Sequence, residues 1–292
     1  MNWKALATVA LTLGIGGLSD AATVQCHDCW NESCLDVREY RKPKCGADSV
    51  PVPKAPAAVV SSNRCPAGMA LVPGGSFVML NRPERVVVDE LCIDVTEVTV
   101  AAYAECMRRG LCGAASTTVA WPGITPELRA TASAFCNGNR PDRQDHPLNC
   151  VDWYQADGFC RARHRRLLTE EEWEWAARGG VKGTRYPWGM ADPSDQLCWD
   201  RAGDDPQGTC PVSAFPAGDS PQGLHDLAGN VSEWTSSLFS TGSRDRVNRG
   251  GGWHIDNPSY VRATDRSSNH PRFRDFFLGF RCARRPRELV AK

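Results

Sequence analysis

The residues of this 292-residue chain best suited to chemistry are its fourteen cysteines and six histidines. Such side chains serve as metal ligands, nucleophiles or disulfides, and their spacing decides among these roles. The histidines stand at 27, 146, 164, 225, 254 and 270, with no HxxxH-type pair to put two imidazoles on one helix face. Cys26-His27-Asp28-Cys29 has Trp30 where haem attachment needs histidine. Together with Cys34 and Cys45 these cysteines could bind zinc, but two disulfides are the simpler expectation in an exported chain. Glu170, Glu171 and Glu172 could be acid/base groups, yet Thr169 and Glu172 form a capping box, and capping with a solvated surface accounts for all three. Trp, Gly and Arg recur from Gly223 to Arg285 with little helical or strand period. That segment is too aromatic for disorder, so it reads as a long ordered loop system facing a ligand.

The elements that must position these residues follow from the flanking patterns. A short basic start, an apolar run from Ala5 to Leu18 and the small residues near Ala21 make 1–21 a secretory signal peptide. No cysteine directly follows the run, so no lipid anchor and no membrane span are expected after cleavage, and the mature chain is placed in the periplasm or outside the cell. The even cysteine count then reads as disulfides. Lys+Arg and Asp+Glu balance at 34 each, which leaves no electrostatic case for nucleic acid or an anionic membrane. Residues 22–48 form a Cys-rich segment, 49–64 a Pro/Ala-rich linker, 65–287 the main domain and 288–292 a tail. Met69 to Met79 reads as strand, turn, strand, and Val86 to Val100 holds two further strand-like runs. Helices are expected from Val100 to Arg109 behind Thr99, from Trp153 behind Asp152 with a short strand leading into it from His146, and from Thr169 to the Gly179-Gly180 stop. Trp121 to Arg143 reads as irregular. The result is an α+β domain of low regular content.

With those segments placed, the chain resembles the formylglycine-generating enzyme family, the sulfatase-modifying factors. The matching stretches are MALVPGGSFVM, VDELCIDVTEVTVAAY, HPLNCVDW, RLLTEEEWEWAARGG, YPWG, GLHDLAGNVSEW, RGGGW and GFRCAR, in family order from Gly68 to Pro286. The resemblance implies a C-type-lectin-related fold and a calcium loop. Its ligands would be the carboxylates of Asp226 and Glu233 and the carbonyls of Gly229 and Val231, oxygens of the kind a hard cation prefers. A second family calcium site would fall near Asp204, where Leu197 lacks the oxygen expected of it. Active members hold Cu(I) on two cysteines between the RGG turn and GFRC; this chain has none between Cys210 and Cys282. No catalytic residue is therefore assigned, and copper is not expected.

The resemblance also implies a disulfide from Cys160 to Cys282, while Ala177 stands where a second family disulfide has its helix cysteine. Proximity suggests Cys106–Cys112, Cys136–Cys150, Cys198–Cys210 and, least securely, Cys65–Cys92. In lectin-related folds the late loops face ligands, which makes Trp253, His254, Asp256, Asn257, Tyr260, Asp265, Asn269, Arg272 and Arg274 candidates to bind a peptide, protein or glycan. For Trp253, Arg262 and Arg266, burial in the core is the plainer expectation. Asn230-Val231-Ser232 is a glycosylation sequon inside the calcium loop and is expected unmodified. The functional expectation is a binding or maturation-accessory protein without copper-dependent activity; a divergent formylglycine-generating oxidase is the alternative.

Overall fold

Each main helix begins where a side-chain oxygen can accept one of the four N–H groups that a helix start leaves free. Thr99 caps α1 (Val100–Arg108) by accepting from Ala102 N, and Asp152 and Thr169 open α3 (Trp153–Ala162) and α4 (Glu170–Ala177) with complete capping boxes closed by Gln155 and Glu172. The computed structural model describes residues 64–200 and 208–288. The signal and Cys-rich segments, nearly all of the linker, the last four tail residues and Asp204 lie outside the described residues.

Among the described residues the strands form three sheets. β1 (Met69–Val72), β4 (Leu91–Asp94), β10 (Cys282–Arg284) and β5 (Arg166–Leu167) make one, in the order β1-β4-β10-β5. β2 (Gly75–Val78) pairs only with β3 (Arg85–Val88), so the turn at Pro73-Gly74 passes the chain from one sheet to another and does not close a hairpin. β8 (Ser267–Asn269), β7 (Arg246–Arg249), β6 (Ser232–Leu238) and β9 (Leu278–Gly279) make the third, with β6 and β9 parallel. The GFRC stretch thus supplies strands to both four-stranded sheets. The disulfide Cys160–Cys282, at a Cα separation of 5.7 Å, fastens it to α3 across 122 residues of chain.

Four further disulfides, Cys65–Cys92, Cys106–Cys112, Cys136–Cys150 and Cys198–Cys210, consume every other cysteine among the described residues. Two tryptophans tie core elements together: Trp153 Nε1 donates to Thr235 O at 2.8 Å and Trp234 Nε1 to Val151 O at 3.0 Å, as buried indoles usually do. The buried Trp253 Nε1, by contrast, has no hydrogen-bond partner among the described residues. Among the described residues no helix is long and apolar enough to cross a membrane.

Four local expectations need correction. Pro126–Ser133 forms a helix, α2, inside the stretch read as irregular; Thr125 caps it and Pro126 fills its first turn, where the missing N–H costs nothing. His146 to Val151 forms no strand and keeps only a bridge from Pro147 to Thr99. Glu170 is not solvated: it is fully buried, and Arg266 grips it with two hydrogen bonds of 2.6 and 2.9 Å. Arg262, expected inside, is exposed.

Candidate functional site

The site grows from the pairing of β6 with β7, which sets Glu233 opposite Arg249 at the end of the ladder. Both are fully buried, and each needs a counter-charge, because an unpaired buried charge costs several kcal/mol. Arg249 donates to Glu174 Oε2 and to the Asp265 carbonyl. Glu233 accepts from Arg281 Nε at 2.8 and 2.9 Å and from Trp173 Nε1 at 2.9 Å. The remaining Arg281 donors reach the carbonyls of Asp94, Val95 and His225. Behind the RGGGW run, then, each buried charge faces a counter-charge, although Arg249 Nε comes only within 3.7 Å of Glu170 and makes no hydrogen bond among the described residues.

Leaving β7, the chain turns sharply through Gly250, Gly251 and Gly252. Gly251 has φ +70°, and a Cβ there would lie 2.7 Å from Tyr260 O and 2.9 Å from Val261 Cγ1, so only glycine fits. The turn floors a cavity of about 180 Å³, lined also by Ser232, Asn248, His254, Ile255, Tyr260, Asp265, Ser267 and Phe277. Here two polar groups are unmatched among the described residues. Ser232 Oγ donates to Asn248 Oδ1 at 3.1 Å, while Asn248 Nδ2 is buried with no hydrogen-bond partner among the described residues. His254 lies 4.5 Å from the Phe277 ring, centroid to centroid at an interplanar angle of 29°, and its buried Nδ1 also lacks a partner among the described residues. Burial pulls the His254 imidazole down to about 4, so it is neutral at physiological pH. Burial raises the Asp265 carboxyl, although Arg249 and Arg262 oppose the shift.

The structure divides the expected ligand residues. His254, Tyr260 and Asp265 meet in this cavity. Trp253 is core, packed on Phe135 and Phe276. Asn257 caps a 3-10 turn through Ser259 N at 2.9 Å, Asp256 is exposed beside it, and Asn269 pairs with Arg246 in the sheet. Arg274 donates to Ser116 Oγ at 2.8 Å. Arg272 stacks over Tyr154 in a second, wider cavity of about 560 Å³ against Cys112, Asp152 and Gln155. In that cavity Gln155 spends its amide on Ser116, Asp152 N and the Ala114 carbonyl. Sequence reasoning missed Asn248, Ser267 and Phe277; Asn248 adjoins the glycine run in sequence, while Ser267 and Phe277 reach it only through folding.

The loop from Asp226 to Glu233 is wound tightly, with Asp226, Gly229 and Asn230 at φ +57°, +80° and +54°. A Cβ at Gly229 would strike Cys198 O at 2.4 Å. Asn230 is fully buried, accepts from Cys210 N and donates to Glu97 Oε2 at 3.4 Å, so its amide is closed to glycosylation. Glu97, which the sequence did not single out, is 1% exposed, and its Oε1 has no hydrogen-bond partner among the described residues. Burial, and then the neighbouring Asp226 charge, push the Glu97 carboxyl well above the usual range; burial also raises Asp226 and Glu233. Excess buried negative charge with an orphan oxygen suits a cation. The fit is partial: Glu233 commits its carboxylate to Arg281 and Trp173, and among the described residues no trio of His, Cys, Asp or Glu is set to hold a metal.

The model for the sulfatase-modifying factor enzyme 1-like domain matches residues 56–286. The chain belongs to that family. Along 75% of its length it is 35% identical to the mouse (Mus musculus) inactive C-alpha-formylglycine-generating enzyme 2, covering 87% of that protein. It is 36% identical to the mouse formylglycine-generating enzyme over 48% of the chain and 45% of that enzyme. Among solved structures CarF shares the fold, with a TM-score of 0.56 and 23% identity over 76% of this chain and 99% of CarF. Within this sulfatase-modifying-factor domain, all ten cysteines of the described residues are disulfide-bonded.

Proposed function

We propose that this family member is an exported binding or maturation-accessory protein that takes up a peptide at the cavity beneath the RGGGW run and has no copper-dependent formylglycine-generating activity. One observation supports it above the rest. The cavity holds unmatched polar groups, while no thiol stands between Cys210 and Cys282 to hold Cu(I). The likeness to a relative named inactive agrees with it. A cysteine peptide of the Cys-x-Pro-x-Arg type, incubated with the protein, Cu(I), oxygen and reductant, is expected to keep its mass. Conversion to the aldehyde, as by an active enzyme run alongside, would overturn the proposal.

Export is supported by the five disulfides, which persist in oxidising compartments. The mature protein is expected to begin near Ala22, which intact mass would check. Calcium is part of the same proposal: Asp226 and the carbonyls of Gly229 and Val231 would hold it, with Glu97 adjacent as a further oxygen. There it would neutralise the buried carboxylates and stiffen the loop. Calcium is then expected to raise the melting temperature of the wild type and leave that of Asp226→Ala unchanged; equal melting curves with calcium and with chelator would contradict this.

A further inference from the structure

We infer that the cavity beneath the RGGGW run accepts one uncharged primary-amide side chain, that of glutamine or asparagine, from a bound peptide. The inference rests on the peptide-binding reading above and narrows it. A cavity of about 180 Å³ is smaller than the roughly 300–1,000 Å³ of whole-ligand pockets, and is suited to a single side chain. Its lining states what that side chain must offer.

Asn248 is 1% exposed, and Ser232 occupies its oxygen, so its Nδ2 is left to donate. A ligand oxygen in the cavity would satisfy it. Should the Ser232 hydroxyl turn instead to the Arg249 carbonyl, also at 3.1 Å, the Asn248 amide can flip and aim its oxygen inward. A primary amide, with a donor and an acceptor on one planar group, matches Asn248 in either orientation. His254 Nδ1 and the Asp265 carboxylate supply further partners for the amide nitrogen.

Charge excludes the nearest competitors. Arg249 is committed to Glu174, and His254 is neutral, so among the described lining residues no free cation awaits a carboxylate. An acidic side chain would meet Asp265 instead. A lysine side chain could meet the Asp265 carboxylate but would turn only donors toward Asn248 Nδ2 and leave it unsatisfied. An aliphatic side chain would leave Asn248 Nδ2 unsatisfied, and sites built to hydrogen-bond reject analogues that cannot. Phe277 and Ile255 provide the apolar walls for the methylenes.

The test is a panel of peptides Ala-Gly-X-Gly-Ala, with X glutamine, glutamate, lysine or leucine. Acetyl and methyl-ester caps keep any other primary amide out of the probe. Binding to the purified mature protein is followed in the side-chain amide region of its ¹H–¹⁵N spectrum, with the Asn248 signal assigned by its loss in Asn248→Leu. The glutamine peptide is expected to bind at least tenfold more tightly than the others and to shift the Asn248 signal. Its binding should vanish in Asn248→Leu and in Ser267→Phe, which fills the cavity from an exposed position and so spares the fold. Tighter binding of another member, still blocked by Ser267→Phe, would overturn the amide assignment and leave the peptide reading standing. Binding by no member would overturn both.

Discussion

The two sides of the RGGGW run treat polar groups in opposite ways. Behind it, Arg249, Arg266 and Arg281 find Glu174, Glu170 and Glu233, and few of their donors are left over. In front, Asn248 Nδ2 and His254 Nδ1 are just as dry yet have no partner among the described residues. The wider cavity near Cys112 sharpens the contrast. It has about three times the volume, about 560 against about 180 Å³, but Gln155 is fully engaged by its neighbours. Unmet bonding capacity, more than volume, separates a place built to hold the fold from one built to hold something else.

If that division is right, changes behind the run cost stability and changes in front cost binding. The largest effect is expected from removing the Cys160–Cys282 staple with a double alanine substitution. Its 122-residue loop is worth about 5 kcal/mol in the chain-entropy model, against about 2 kcal/mol for the six-residue Cys106–Cys112 loop. Denaturant titration of the two knock-outs would show the difference, and equal losses would contradict it. Next comes Arg281→Met, which strands Glu233 in the core and is expected to cost about 3–5 kcal/mol. A loss below 1 kcal/mol by the same titration would mean that the charges behind the run are not matched as described.

Asp275 offers a smaller effect with a defined pH sign. Burial lifts its carboxyl from 3.8 to about 6, so the folded chain binds a proton between those pH values that the unfolded chain releases. Wild-type stability relative to Asp275→Asn should therefore fall as pH rises from 4 to 6 and stay level above. At pH 7 the variant is expected to be the more stable by on the order of 2 kcal/mol. Melting curves at pH 4.5 and 7.5 would check this; a difference independent of pH would count against it. Smallest in stability is Asn248→Leu, expected to lie within about 1 kcal/mol of wild type, because it removes a donor that had no partner. Its loss should appear in peptide binding alone.

Much of this architecture was legible in the sequence because it is written in short-range signals. Thr99, Asp152 and Thr169 announce their helices within four residues, and the cysteines pair as spacing and family resemblance suggested. What escaped depends on partners far along the chain. Glu170 reads as a solvated first-turn carboxylate until Arg266, 96 residues later, folds onto it. Glu97 sits in an ordinary β-branched run and becomes notable only when Asn230, 133 residues away, meets it in the core. The ligand residues were half legible for the same reason. A list drawn from one loop included His254, Tyr260 and Asp265 but scattered Arg272 and Arg274 to other contacts, and it omitted Asn248, which lies on the strand that enters the loop.

The most direct test of the contrast is a crystal structure of the protein grown with the capped glutamine peptide. The account predicts the glutamine amide seated in the cavity of about 180 Å³, within hydrogen-bonding reach of Asn248, with only solvent in the wider cavity beside Tyr154. A peptide bound beside Tyr154, with the cavity beneath the glycine run left to water, would contradict it.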